Sequence, residues 1–213
     1  EPIFKRNNKK PKITFTGSTK IHGTNGSVST NNEEVWYQSR KRIVTPMSDN
    51  HGFSQFCMAR QPSFDRLLSE ARLRIPNDES DYILSIFGEY CGQGIANGTA
   101  VSKLPKMFVI FALKISVGES AYYLDPKNLR DHENQIFNVF DYETFQVEVD
   151  FEYPEITQNK FVKLVDYVEK EFKLLNYYYF KILVMSSYFI STLLRIIPFV
   201  DFGNGFESTG ITV

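Results

Sequence analysis

Cysteine is scarce in this chain: Cys57 and Cys91 are the two in 213 residues. They fall in unlike contexts without metal-ligand spacing, which excludes a disulfide framework and a cysteine-built zinc site. Reduced thiols in a cytoplasm are the expectation. An excess of charge of either sign is also lacking, because the formal net charge is −1. Any contact with nucleic acid must therefore come from a local basic surface rather than from overall attraction. No basic segment followed by an apolar stretch and a small-residue cleavage site opens the chain, so no export signal is expected. The first residue is Glu1 rather than Met, which fits a trimmed N-terminus. The most apolar run, Ile182 to Leu194 between Lys181 and Arg195, falls short of the roughly 20 residues that a spanning helix needs. No membrane segment is expected. Fixed-period repeats and Gly/Ser- or Pro-rich linkers are missing as well, so a single domain over residues 1–213 is the expected organisation.

Apolar side chains are plentiful. Hydrophobic residues make up 42% of the chain and aromatic ones 15%, against 23% charged, a composition that builds a packed core and argues against disorder. Ile13 to Phe15 reads as a short strand that ends at Gly17-Ser18, with Lys20 just beyond it. Gly26 to Thr30 and Val35 to Ser39 flank the polar stretch Asn31 to Glu34 and read as a hairpin. From Pro62 the apolar positions Phe64, Leu67, Leu68 and Ala71 recur with helical spacing. Tyr82 to Tyr90 and Met107 to Ile115 are long β-forming runs, expected at the centre of a sheet and joined by a glycine-containing connection from Gly92 to Pro105. Tyr122 to Leu124, Ile136 to Phe140 and Phe145 to Val149 are weaker strand candidates. Pro154 opens a helix to about Phe172, with Phe161, Leu164, Val165 and Val168 on one face. The stretch from there to Val200, crowded with Tyr, Phe, Ile and Leu, has no assigned structure. It reads as a divergent hydrophobic strand pair, or as the product of a shifted reading frame or an odd insertion.

The string Lys20-Ile21-His22-Gly23-Thr24-Asn25 carries the chemistry. It resembles motif I of the covalent nucleotidyltransferases, the superfamily of polynucleotide ligases and RNA capping enzymes. His22 narrows the resemblance to the phage RNA ligase 2 family, because DNA ligases and capping enzymes usually carry Asp there. Ser39-Arg40 then resembles motif Ia, Phe87-Gly88-Glu89-Tyr90 motif III and Phe108 to Leu113 motif IIIa, in the family's order. The strings Gln38 to Pro46 and Gly92 to Pro105 resemble a phage and bacterial branch.

The resemblance implies an α+β fold: an ATP-grasp-like nucleotidyltransferase (adenylation) domain with antiparallel sheets flanked by helices. The implied activity is ATP-dependent joining of RNA 5′-phosphate and 3′-hydroxyl ends through lysyl-AMP, with ATP and Mg2+ or Mn2+ as cofactors. RNA ends, in nicked duplex or single strands, are the implied partners, and a monomer is expected. Lys20 is the implied nucleophile, with His22 and Glu89 also catalytic and His22 acting mainly in end joining. Thr19, Ile21, Asn25, Arg40, Glu89 and Phe108 are implied nucleotide contacts. Of these, Asn25 and Glu89 hold the ribose hydroxyls, Arg40 lies near the ribose and the nucleic-acid end, and Phe108 stacks on adenine. Glu207 is the implied metal ligand.

Such a reaction needs a neutral amine. A lysine of ordinary pKa near 10.4 is neutral in only about one part in several thousand at pH 7, and lowering that value by three units is worth about 4 kcal/mol. Divalent cations and basic side chains offset the phosphate charge. Plainer readings stand beside each residue. A lysine at a strand end is usually a solvated charge, Phe108 in an apolar run is core by default, and Phe111 is a competing stacker. Lys41 and Arg42 are phosphate contacts or a solvated basic run. His51 and His132 read as structural, and Asp49-Asn50 as a polar turn. Glu89 resists a plain reading, since a carboxylate on an apolar strand needs partners.

The pattern departs from the family after Glu171. Gly203 to Val213 resembles a degraded motif IV, in which Glu207 or Thr209-Gly210 takes the Glu-Gly place. No Lys-x-Lys of motif V appears near the C-terminus. The alternative function is accordingly a catalytically impaired nucleotide- or RNA-binding relative that lacks intact motifs IV and V.

Overall fold

The computed structural model describes residues 10–18, 20–75 and 81–174. The expectations for Thr19, for Glu207 within Gly203 to Val213, and for the Ile182 to Leu194 run lie outside the described residues, as do the motif IV and V regions. Elements follow in the order β1 (Lys12–Ser18), β2 (Thr24–Thr30), β3 (Val35–Ser39), β4 (Ile43–Val44), α1 (Phe53–Met58), α2 (Gln61–Arg72), β5 (Ile83–Cys91), β6 (Met107–Val117), β7 (Ser120–Leu124), β8 (Ile136–Asn138), β9 (Thr144–Asp150) and α3 (Pro154–Leu174). The described residues form two compact units, Ser18–Glu143 and a smaller one made of residues up to Gly17 with those from Thr144 onward. The architecture is α+β with antiparallel sheets and few helices.

The hairpin forms where the sequence marks it. β2 and β3 pair antiparallel from Gly26↔Ser39 to Thr30↔Val35, and the Asn31 side chain accepts the backbone N–H groups of Glu33 (3.1 Å) and Glu34 (2.8 Å) to close the turn. The two long apolar runs are central strands, giving a seven-stranded sheet in the order β4-β3-β2-β5-β6-β7, with β8 adding to β6 in parallel.

One face of this sheet carries the core. Val28, Leu84, Ile86, Tyr90, Phe108, Ile110, Leu113 and Ile115 pack there against Phe53 and Phe56 of α1 and Phe64, Leu67, Leu68 and Ala71 of α2. The helical spacing from Pro62 thus turns every apolar position of α2 inward. Two glycines make the fit possible. Gly26 and Gly88 lie opposite each other on β2 and β5, and a Cβ on Gly26 would meet the Phe53 ring at 2.6 Å, one on Gly88 the Phe108 ring at 2.5 Å. The two rings lie 5.4 Å apart over the space the missing side chains leave.

β6 contains one residue more than β5 can pair. Phe87 faces Ala112 and Gly88 faces Ile110, so Phe111 has no partner across the ladder. This bulge lets Ile110 and Leu113 both point into the core. In the smaller unit β1 and β9 form a two-stranded sheet. Thr157 is buried on α3 and Phe161, Leu164 and Val165 are half-buried on the same side, as their spacing requires. Among the described residues no helix is long and apolar enough to cross a membrane.

Candidate active site

Strand pairing decides which side chains share the second face of the main sheet. Glu89 pairs with Asn25 on one side and with Val109 on the other, and Phe87 pairs with Ser27 and Ala112. Ser27 in turn faces Gln38, and its hydroxyl donates to Gln38 Oε1 at 3.4 Å. Asn25, Ser27, Gln38, Phe87 and Glu89 therefore line one face, opposite the helix-covered core. Its apolar margin is a second cluster of Cys91, Val101, Met107 and Val109, against which Ile21, Leu104, Phe137 and Tyr142 pack.

The connection from Lys20 to Gly23 crosses the end of β5. A Cβ on Gly23 would come within 2.4 Å of the Tyr90 carbonyl oxygen, 2.8 Å of Cys91 Cβ and 3.0 Å of Glu89 Cγ. Only glycine lets the backbone approach this closely. The turn that bears Lys20 and His22 is thus laid directly against the strand that bears Glu89. Ile21 anchors it by packing on the Cys91 cluster, His22 is half-buried, and Lys20 itself is exposed. Arg40, also exposed, stands just past the end of β3.

Phe108 requires a correction. Its ring is 0% exposed, on the core face beside Tyr90's row, and it contacts Phe53 at 5.4 Å and Phe64 at 5.9 Å between ring centres. A side chain with every surface spent on protein has none to give to a base. Phe111 is half-buried at the bulge and joins neither packed cluster.

Arg42 is occupied as well. Its guanidinium donates to Ser48 O and Ser48 Oγ, both at 2.6 Å, and to Asp49 O at 3.0 Å, which ties down the loop after β4. The Asp49 carboxylate accepts the N–H groups of Asn50 (2.7 Å), Ser54 (2.8 Å) and Gln55 (3.1 Å), capping α1. Asn50 donates from Nδ2 to Thr24 Oγ1 at 2.9 Å. These roles went unread in the sequence, although an Asp ahead of the short helix is a recognisable cap signal. His132 is structural: it lies 2.9 Å from Asp141 and its ring stacks on Phe137 at 5.1 Å. His51 contributes its carbonyl, which accepts from Lys106 Nζ at 2.7 Å.

The thiols are chemically quiet. Burial pushes Cys91 up to about 12, with the nearby Glu89 charge adding to the effect, and burial likewise pushes Cys57 well up. Both are free and buried. Among the described residues no group of three His, Cys, Asp or Glu side chains is arranged to hold a metal ion.

A family model described as RNA ligase matches residues 13–176. A comparison with the curated proteins finds no match. The matched span takes in the Lys20 turn, the hairpin that follows it, and the strands that bear Glu89 and Phe111, and it covers well over half of the 213 residues. On that breadth of match, the chain belongs to the RNA ligase family.

Proposed function

We propose that the chain is an ATP-dependent RNA ligase that joins a 5′-phosphate to a 3′-hydroxyl through lysyl-AMP formed on Lys20. The observation that carries this reading is the contact of Gly23 with Tyr90, Cys91 and Glu89, since it brings the Lys20 turn and the Glu89 strand together at the edge of a polar sheet face. In this reading the fold is the ATP-grasp-like adenylation domain and the protein works as a cytoplasmic monomer.

In the first step the Lys20 nitrogen, having lost its proton, attacks the α-phosphorus of ATP; the N–P bond forms as the bond to pyrophosphate breaks. An oxygen of the RNA 5′-phosphate then displaces the lysine to give an RNA-adenylate. Attack by the 3′-hydroxyl on the 5′-phosphorus releases AMP and seals the ends, with His22 acting at this stage. Asn25 and Glu89 take the ribose hydroxyls, Thr19 and Ile21 contact the nucleotide, and Arg40 sits toward the ribose and the RNA end. The aromatic face for adenine is assigned to Phe111 in place of Phe108. Magnesium is commonly held by one or two carboxylates together with substrate phosphates; Glu207 would be the protein ligand for a Mg2+ or Mn2+ ion, which would supply charge neutralisation for the phosphoryl transfer.

Incubation with α-labelled ATP and Mg2+ tests the reading. The denatured chain is expected to retain one adenylate, and Lys20→Ala to retain none. Label persisting in Lys20→Ala refutes the nucleophile, while ATP binding without covalent label selects a non-catalytic nucleotide-binding module.

A further inference from the structure

The segment that follows β4 is fastened to three separate parts of the main unit. Asn50 Nδ2 donates to Thr24 Oγ1 at 2.9 Å. Lys106 Nζ donates to the His51 carbonyl at 2.7 Å, and Tyr90 Oη donates to the Gly52 carbonyl at 3.3 Å. The backbone turns sharply to allow this, with φ of 55° at His51 and 83° at Gly52. Asn50 cannot drift, because its own backbone N–H is held by Asp49 and its carbonyl accepts from Phe53 at 3.0 Å.

Thr24 is the first residue of β2 and follows Gly23 directly, so the Asn50 bond grips the chain where the Lys20 turn enters the sheet. Gly23 blocks movement toward β5 by contact, and Thr24 pairs with Tyr90 as the last position of the β2–β5 ladder, an end that needs a second tie if the turn before it is not to lift. We propose that Asn50 is a positioning residue for the adenylylation step: its bond to the Thr24 hydroxyl holds the Lys20 turn down on β5, so that the amine keeps one direction of approach. This rests on the ligase reading of the site. Asn50 itself touches no substrate.

The test uses the full chain and the pair of substitutions that separates hydroxyl from shape. Thr24→Val removes the acceptor and keeps the branched form that a strand favours, whereas Thr24→Ser keeps the acceptor. Single-turnover labelling with ATP and Mg2+ is expected to fall about tenfold to a hundredfold in Asn50→Ala and Thr24→Val, without a matching rise in the KM for ATP. Thr24→Ser should keep close to the full rate, and the double variant Asn50→Ala/Thr24→Val should be no slower than either single one. Rates unchanged in both singles, or falls that multiply in the double, overturn the proposal. Hydrogen exchange over residues 20–25 decides it independently of activity: faster exchange is expected in Asn50→Ala and Thr24→Val and not in Thr24→Ser. Unaltered protection in the first two refutes the clasp, whereas an unlabelled wild-type chain with the expected exchange pattern refutes only the ligase reading.

Discussion

Phe108 and Phe111 belong to one strand, yet one is fully buried in the core and the other stands half-buried at the bulge. Phe108 fills the space over Gly88 and touches Phe53 and Phe64, so truncating it opens a cavity between sheet and helices. Phe108→Ala is expected to cost about 3–5 kcal/mol of stability, read as a lower midpoint in urea unfolding. Phe111→Ala is expected to leave that midpoint nearly in place and to weaken ATP binding about tenfold to a hundredfold, the effect of losing a base stack of about 1–3 kcal/mol. Equal losses of stability in the two variants would show that Phe111 is core after all. The sequence does not separate these residues because Met107 to Ile115 is almost wholly apolar, and an unbroken apolar run hides which residues share a face. The motif string around Lys20 was legible because its residue types are specific. That its glycine rests on the Tyr90 carbonyl was not, since that contact joins residues far apart in the chain.

At the scale of elements, periodicity made α2 and the β2–β3 hairpin readable: one repeats its apolar residues at helical spacing, the other breaks at a polar turn. α1 and β4 escaped notice because six and two residues are too few to show a period. The short strand β8, paired with β6, is tied to the loop before it by one side chain. Asn138 is fully buried, and its Nδ2 donates to Pro126 O at 2.7 Å and Leu129 O at 3.1 Å while its Oδ1 accepts from the Phe140 N–H at 3.0 Å. Asn138→Ala removes these three bonds, although the Pro126 carbonyl keeps the Leu129 N–H at 3.2 Å, and is expected to destabilise the chain by about 1–3 kcal/mol. Hydrogen exchange should show early loss of protection over residues 126–140; loss spread evenly over the whole sheet would contradict a local tie.

At the scale of the molecule, acid resistance draws on two carboxylates in the region from Asp131 to Asp141. Burial raises Asp131, but hydrogen bonds from Ser63, Asn134 and Arg66 outweigh it and leave the group below its ordinary value. Burial raises Asp141 too, and bonds from His132, the Asn138 backbone and Arg130 again bring it below. A depressed folded value means that the stabilisation is whole above the unfolded value of about 3.9 and is lost as pH falls through it toward the folded value. Urea midpoints are therefore expected to hold between pH 7 and 5 and to drop below about 4, more shallowly in Asp141→Asn. A drop that begins near pH 6 would assign the transition to other groups. The bulge in β6 has a consequence for the design of the whole chain. Excising Phe111 would bring Ile110 and Ala112, already matched to Gly88 and Phe87, into consecutive register and leave an uninterrupted strand. A chain shortened in that way is expected to melt no lower than its parent and to bind ATP more weakly, which calorimetry on the two proteins can compare. The supernumerary ring would then be a part the scaffold can lose and the nucleotide cannot.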